Sequence, residues 1–304
     1  MGSSRWSPDD WSDYKKTTVG QPQAAVFKSR SMQASFDPSA ITVRESVDSD
    51  ANPNSTPIIV ALDVTGSMGI IPQQLVQGNL GTLMQELLDR RPVSDPHLMF
   101  MGVGDVDHDR APLQVTQFEA DIKIAEQLRE IYLEGGGGGN GQESYHLPWY
   151  FAATKTSCDA VAKRGKKGYL FTVGDEAPPK NLRADQIRHV FGVGSEGDLS
   201  SADILSMAER LYNVYHIVIE QGGHYQGHSG EVSRRWREVL GERVIFLSDY
   251  TKLAEVIVST IQLQEGADRD TVSSSWSNGT DLVVAHALKG LSHGTHQDGG
   301  LVVL

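Results

Sequence analysis

The stretch PIIVALDVTGSMG, Pro57 to Gly69, decides how the rest of the chain reads. Its opening run, Pro57 to Leu62, is apolar, short and rich in β-branched residues, which suits a strand buried on both faces in the middle of a parallel sheet. The run stops at Asp63, and Thr65 and Ser67 follow at alternate positions along a glycine-containing turn. Alternation lets the three oxygen-bearing side chains point to one side. A carboxylate and two hydroxyls are hard donors of the kind Mg²⁺ takes, and the remaining octahedral positions go to waters or to a ligand's oxygen. One carboxylate and two neutral groups leave positive charge on such a cation, so an acidic side chain of a partner can complete the shell.

Working outward, strands and helices alternate. Residues 70–90 place Val76, Leu80, Leu83 and Leu87 at helical spacing. HLMFMGVG (97–104) reads as the second strand and LQVTQFE (113–119) as the third, with only eight residues between them. A connection that short predicts an antiparallel pair, because a parallel crossover needs a dozen residues or more. Helices are expected at 121–133 and, as one element, near 145–164. KGYLFTVGDE (167–176) is the fourth strand with its exit loop. A helix at 200–211, a strand at 212–220, a helix at 230–240, a strand at 243–247 and a helix at 250–264 complete an α/β, doubly wound, mostly parallel sheet. Three segments follow: a polar, aromatic-containing extension over 1–55, the domain over 56–264 and a tail over 265–304. Trp6, Trp11 and Tyr14 are more aromatic content than a disordered extension carries, so part of it is expected to pack on the domain or on a partner.

Ligands of an open α/β sheet bind at the carboxyl ends of its parallel strands. Asp63, Thr65 and Ser67 leave the first strand, Asp105, Asp107 and Asp109 the second, and Asp175 with Glu176 the fourth. Asp105 is read as facing a partner. The glycine run 135–139 precedes a helix and reaches toward the same edge, with Gly138 and Gly139 expected on the recognition face. Asp105-x-Asp107-x-Asp109 imitates half a calcium loop, but Arg110 stands where that loop needs glycine and Thr116 where it needs glutamate. His224 and His228 are four apart in a glycine-rich stretch that does not read as helical, and His293 and His296 lie in a similar one, so neither pair is taken as a metal site.

DVTGSM after an apolar strand resembles the metal-ion-dependent adhesion site (Asp-x-Ser/Thr-x-Ser) of von Willebrand factor A domains, over roughly residues 57–262. The resemblance implies a six-stranded sheet of order 3-2-1-4-5-6 with an antiparallel third strand. It implies Mg²⁺, or Mn²⁺ or Ca²⁺, held by Thr65 and Ser67 directly and by Asp63 and Asp175 directly or through water. It implies a protein partner rather than a reaction. For intracellular bacterial members it implies work beside AAA+ ATPases or within multi-protein assemblies. The family also supplies a threonine after a glycine pair. Here that loop, EGGGGGNGQESY (134–145), has none, and Asn140 is the nearest substitute, with Glu143 and Ser144 as alternatives.

DVTGS also resembles the DKTGT of aspartyl-phosphate enzymes. There Asp63 would be the nucleophile, Asp175 would hold Mg²⁺, and Lys166 or Lys167 would steady the phosphoryl charge. Val64 stands where that motif needs lysine. No Gly-x-Ser-x-Gly elbow, Walker A motif or dinucleotide fingerprint is present. A net charge of −12 over 304 residues argues against nucleic-acid binding, which draws its affinity from neutralised phosphates. The basic clusters KRGKKG (163–168) and SRRWR (233–237) read as solvated helix ends. The single cysteine, Cys158, fits a reducing cytosol, and with no signal-like start or membrane-length apolar run the expected location is cytoplasmic.

Overall fold

The computed structural model describes residues 4–135 and 141–292, without the side chains of residues 75 and 76. The central sheet consists of β1 (Thr56–Asp63), β2 (Pro96–Val103), β3 (Leu113–Val115), β4 (Gly168–Gly174), β5 (Tyr212–Ile219) and β6 (Val244–Leu247). Their spatial order is β3-β2-β1-β4-β5-β6, and only β3 runs antiparallel. The protein is therefore a doubly wound α/β fold with the strand order expected above. Side chains alternate along β1: Ile58, Val60 and Leu62 enter one core, and Ile59 and Ala61 the other.

The helices, in chain order, are α1 (Pro8–Thr18), α2 (Leu80–Arg90), α3 (Lys123–Arg129), α4 (His146–Lys155), α5 (Asp159–Arg164), α6 (Ala184–Phe191), α7 (Ser201–Ala208), α8 (Gly223–Leu240), α9 (Leu253–Gln264), α10 (Arg269–Ser274) and α11 (Thr280–Leu288). Buried residues of α2, α3, α9, α10 and α11 line the face of Ile58, and those of α4, α6, α7 and α8 the opposite face.

Both flanking segments contribute to the first core. Trp6, Tyr14, Val26, Phe27 and Phe36 come from before the sheet, and Val272, Val284, Ala287 and Leu288 from after it. Helix α1 carries its own start and stop signals: Ser7 accepts from the amides of Asp9 and Asp10, acids fill the first turn, and Lys15 and Lys16 close the last. It packs Trp11 onto Gly81, where a Cβ would lie 1.9 Å from the indole.

Three expected elements differ. The helix over 145–164 is broken, because Thr156–Cys158 is a short strand pairing in parallel with Arg44–Ser46. Thr156 and Ser157 are poor helix interiors, and the pairing satisfies their backbone instead. The helix at 70–90 begins as Ile71–Gln74 and passes through a π turn, Leu75–Asn79, before α2. The stretch around His224 and His228 is helical, as the start of α8, with non-helical angles at His228 itself.

Candidate metal centre

Register places the site. Leu62 pairs with Val173 and Asp63 with Val103, so Asp63 stands level with Gly174 and one residue before Asp175 on the neighbouring strand. Asp63 and Asp175 are both fully buried. Two hydroxyl-to-carboxylate hydrogen bonds and one oxygen–oxygen contact between the hydroxyls link them. Asp63 Oδ1 accepts from the Thr65 amide (2.9 Å) and hydroxyl (2.7 Å). Thr65 Oγ1 lies 3.3 Å from Ser67 Oγ, and Ser67 Oγ donates to Asp175 Oδ1 at 2.8 Å. Asp175 Oδ2 accepts the amide of His224 at 2.8 Å, in the first turn of α8, where the helix dipole favours an anion. That approach needs Gly222, since a Cβ there would lie 2.2 Å from Asp175 Cβ.

The charge around this chain is unbalanced. Among the described residues no ion pair reaches Asp63, Glu143, Asp175 or Glu176. Burial, reinforced by Asp175, raises the Asp63 carboxyl above the usual range. Burial with the charges of Asp63 and Asp175 pushes Glu176 up to about 8. Glu143 is 2 % exposed and is raised by burial first, then by Asp63 and Glu176; its Oε2 is buried without a hydrogen-bond partner among the described residues.

A hard cation fits this donor set. Four oxygen side chains stand in sequence at hydrogen-bond spacing: the hydroxyls of Thr65 and Ser67 give their protons to the two carboxylates, which leaves hydroxyl lone pairs for a cation to take. Among the described residues no three His, Cys, Asp or Glu side chains form a cage, so a site here depends on the hydroxyls of Thr65 and Ser67 and on water. Mg²⁺ is held in that manner, by one or two carboxylates with several waters retained.

Other expected residues are placed differently. Asp105 does not face a partner: its side chain is 5 % exposed, accepts from the Asp107 amide at 2.8 Å and lies 2.8 Å from His108 Nδ1. It organises its own turn, as an aspartate two residues before a free amide readily does. Asp107 is held by Arg183 and Gln186. The Ser144 hydroxyl accepts the Val106 amide at 3.0 Å. Gly138, Gly139 and Asn140 lie outside the described residues, as do His293 and His296. The rings of His224 and His228 stack 4.3 Å apart at 13°, face to face rather than converging on a common point. Lys166 and Lys167 precede β4, level with the start of β1, about 20 Å of strand from Asp63, so neither steadies charge there.

Sequence reasoning did not find Tyr145, whose hydroxyl donates to Asp63 Oδ2 at 2.9 Å. Nor did it find Gly174 and Gly222, each of which gives way to a site contact. The available signal was slight: an aromatic following the glycine loop, and a glycine immediately before Asp175.

No protein-family model matches the sequence, and no curated protein matches it. Among solved structures the chain is similar to the pilus adhesin SpaC from Lactobacillus rhamnosus GG in its open conformation, with 6 % identity over 73 % of this chain and 31 % of that one, at a TM-score of 0.45. It is similar to a von Willebrand factor type A structure from Catenulispora acidiphila (11 % identity, 71 % and 44 % covered, TM-score 0.39). It is also similar to proximal thread matrix protein 1 from the mussel byssus (12 %, 69 % and 47 %, TM-score 0.42). The chain spans under half the length of each. The fold class rests on the strand order and register above, not on these likenesses. No helix among the described residues is long and apolar enough to cross a membrane.

Proposed function

We propose that this chain is a protein-interaction module that binds another protein through a Mg²⁺-dependent site at the carboxyl edge of β1 and β4. The observation that carries the reading is the oxygen chain Asp63–Thr65–Ser67–Asp175, buried except at the half-buried Ser67 and set beside further acidic side chains that no ion pair among the described residues neutralises. Thr65 and Ser67 would hold the cation directly, and Asp63 and Asp175 directly or through water. The bound ion would supply an electrophilic position for an acidic side chain of the partner. The chain's own residues orient the donors: the Thr65 amide and Tyr145 fix Asp63, and the α8 amide fixes Asp175. The partner belongs to a multi-protein assembly in this reading, as the resemblance to intracellular adhesion-site domains implies, with an AAA+ ATPase one such component. The function is recognition rather than catalysis.

A second reading also has an observation behind it. The hydroxyls of Thr65 and Ser67 are satisfied by the two carboxylates, so the network closes on itself and can serve a metal-independent scaffold. Thermal unfolding with Mg²⁺ or Mn²⁺ titrated against chelator separates the two. An ion that binds only the folded state adds about 2.7 kcal/mol at a hundredfold excess over its dissociation constant. We expect that rise in the wild type and its loss in Asp63→Ala. A wild type indifferent to millimolar metal defeats the ion-bridged reading in favour of the scaffold.

A further inference from the structure

We infer that Tyr145 is the positioning residue of this site, orienting Asp63 through its phenol, and that the missing side chain at Gly174 is what allows it to reach. The inference rests on the reading of Asp63 as part of an ion-binding network, but its geometry stands apart from that reading. Tyr145 is fully buried at the start of α4, directly after Glu143 and Ser144. Its oxygen donates to Asp63 Oδ2 at 2.9 Å and lies 3.4 Å from the amide of Glu176, which donates to it. One hydroxyl thus ties the end of β1 to the exit of β4.

The ring has little freedom to carry that hydroxyl elsewhere. It meets His216 edge-on (4.9 Å, 68°) and Trp236 at a tilt (5.4 Å, 59°). Trp236 is itself stacked on His216 at 3.4 Å and donates from Nε1 to the carbonyl of Glu176 at 2.8 Å. On the remaining side stands Gly174, where a Cβ would lie 1.9 Å from the Tyr145 oxygen and 2.6 Å from Cζ. Any side chain at position 174 must therefore displace the phenol from Asp63. Asp63 Oδ1 is fixed by Thr65 and Oδ2 by Tyr145. With both oxygens held, the carboxylate plane is fixed, and removing one donor frees it to turn. Outer partners of this kind change metal affinity by about 10- to 100-fold when lost.

The test compares Tyr145→Phe, Gly174→Ala and the double variant, each checked for folding by circular dichroism. Mn²⁺ is the probe, titrated calorimetrically, and the side-chain carboxyl carbon of Asp63 is followed by NMR in metal-free protein. Expected is an affinity loss of about tenfold in Tyr145→Phe. A similar loss is expected in Gly174→Ala although its tyrosine is intact, and no further loss in the double variant, since both act through one hydrogen bond. The Asp63 resonance should move in both single variants. Wild-type affinity in Tyr145→Phe, or an unmoved Asp63 resonance, overturns the inference. If Gly174→Ala does not fold, Tyr145→Phe decides alone. If the wild type itself takes up no Mn²⁺, the ion-binding reading fails and the Asp63 resonance still decides whether Tyr145 positions that carboxylate.

Discussion

Asp48 and Asp63 stand at opposite ends of the same sheet and are treated in opposite ways. Asp48, near the start of β1, accepts from Arg164 Nη1 at 2.6 Å, from the Ser55 amide at 3.0 Å and from the Ser55 hydroxyl at 2.8 Å, with Lys163 at 3.6 Å. Burial alone would raise its carboxyl, but the bonds from Arg164 and Ser55 outweigh that and hold it at about 2. Asp63, at the far end, has hydrogen bonds but no cationic side chain paired with it among the described residues, and burial raises it. A carboxylate that serves only the fold is given its counter-charge by the chain. A buried cluster that lacks one tolerates a cost that a ligand can remove, and such strain gathers at functional sites.

The contrast breaks most visibly at Asp48. Replacing it by alanine leaves Arg164 and two Ser55 donors without their acceptor, and we expect a loss of about 2–3 kcal/mol in urea unfolding at neutral pH. The pH dependence has a definite sign. A carboxyl held at about 2 in the folded state, against about 3.9 unfolded, contributes stability above pH 4 that disappears as pH falls toward 2. Asp48→Ala should therefore flatten the wild-type acid limb between those values. An unchanged limb would mean that Asp48 is not the anchor of the amino edge.

Asp63→Asn should go the other way. In chelator at neutral pH the asparagine keeps an acceptor for Thr65 and removes a buried charge from beside Asp175, Glu143 and Glu176. Because the folded state holds this carboxyl above its unfolded range, its charge costs stability at every pH above that range. We expect a gain of about 1 kcal/mol, the usual size of a function-for-stability exchange. With saturating Mg²⁺ the wild type should overtake the variant. A loss in chelator would show that the hydrogen bonds to Asp63 outweigh its charge, and the two ends of the sheet would then differ less than their surroundings suggest.

Much of the carboxyl edge was legible because it is written in local pattern. A continuous apolar run ending at Asp63 marks a central strand, and the eight residues between the second and third strands fix the antiparallel pair. The first feature puts Asp63, Thr65 and Ser67 at the carboxyl edge, and KGYLFTVGDE, a further apolar run ending in an acidic loop, puts Asp175 there. What escaped depends on contacts between distant segments. Tyr145 reaches Asp63 across 82 residues, and nothing in ESYHLP announces it. Gly174 lies in a stretch that reads as a strand with its exit loop and Gly222 opens a glycine-rich stretch, and only packing shows that a Cβ at either would strike a site residue. Asp105 was misread because alternating aspartates look like outward ligands, whereas its carboxylate closes its own turn. Helix α1 was within reach, since Ser7-Pro8-Asp9-Asp10 is a helix start.

The smallest effect tests whether the amino edge depends on pairing in general or on one partner. Lys163 touches both Asp159 (2.7 Å) and Asp48 (3.6 Å), but its side chain is 58 % exposed. Arg164, at 23 %, makes the shorter contact with Asp48 and also donates to the carbonyl of Ser55. An exposed lysine pair gains little in water, because solvent screens it and the side chain loses freedom in forming it. Lys163→Ala should therefore leave the urea midpoint and the acid limb within experimental scatter, while Arg164→Ala reproduces most of the Asp48→Ala loss. If Lys163→Ala also cost measurable stability, Asp48 would be held by a network rather than by one guanidinium. The carboxyl edge would then differ from the amino edge in lacking a whole basic cluster, and a single cation at Asp63 would compensate less of the difference.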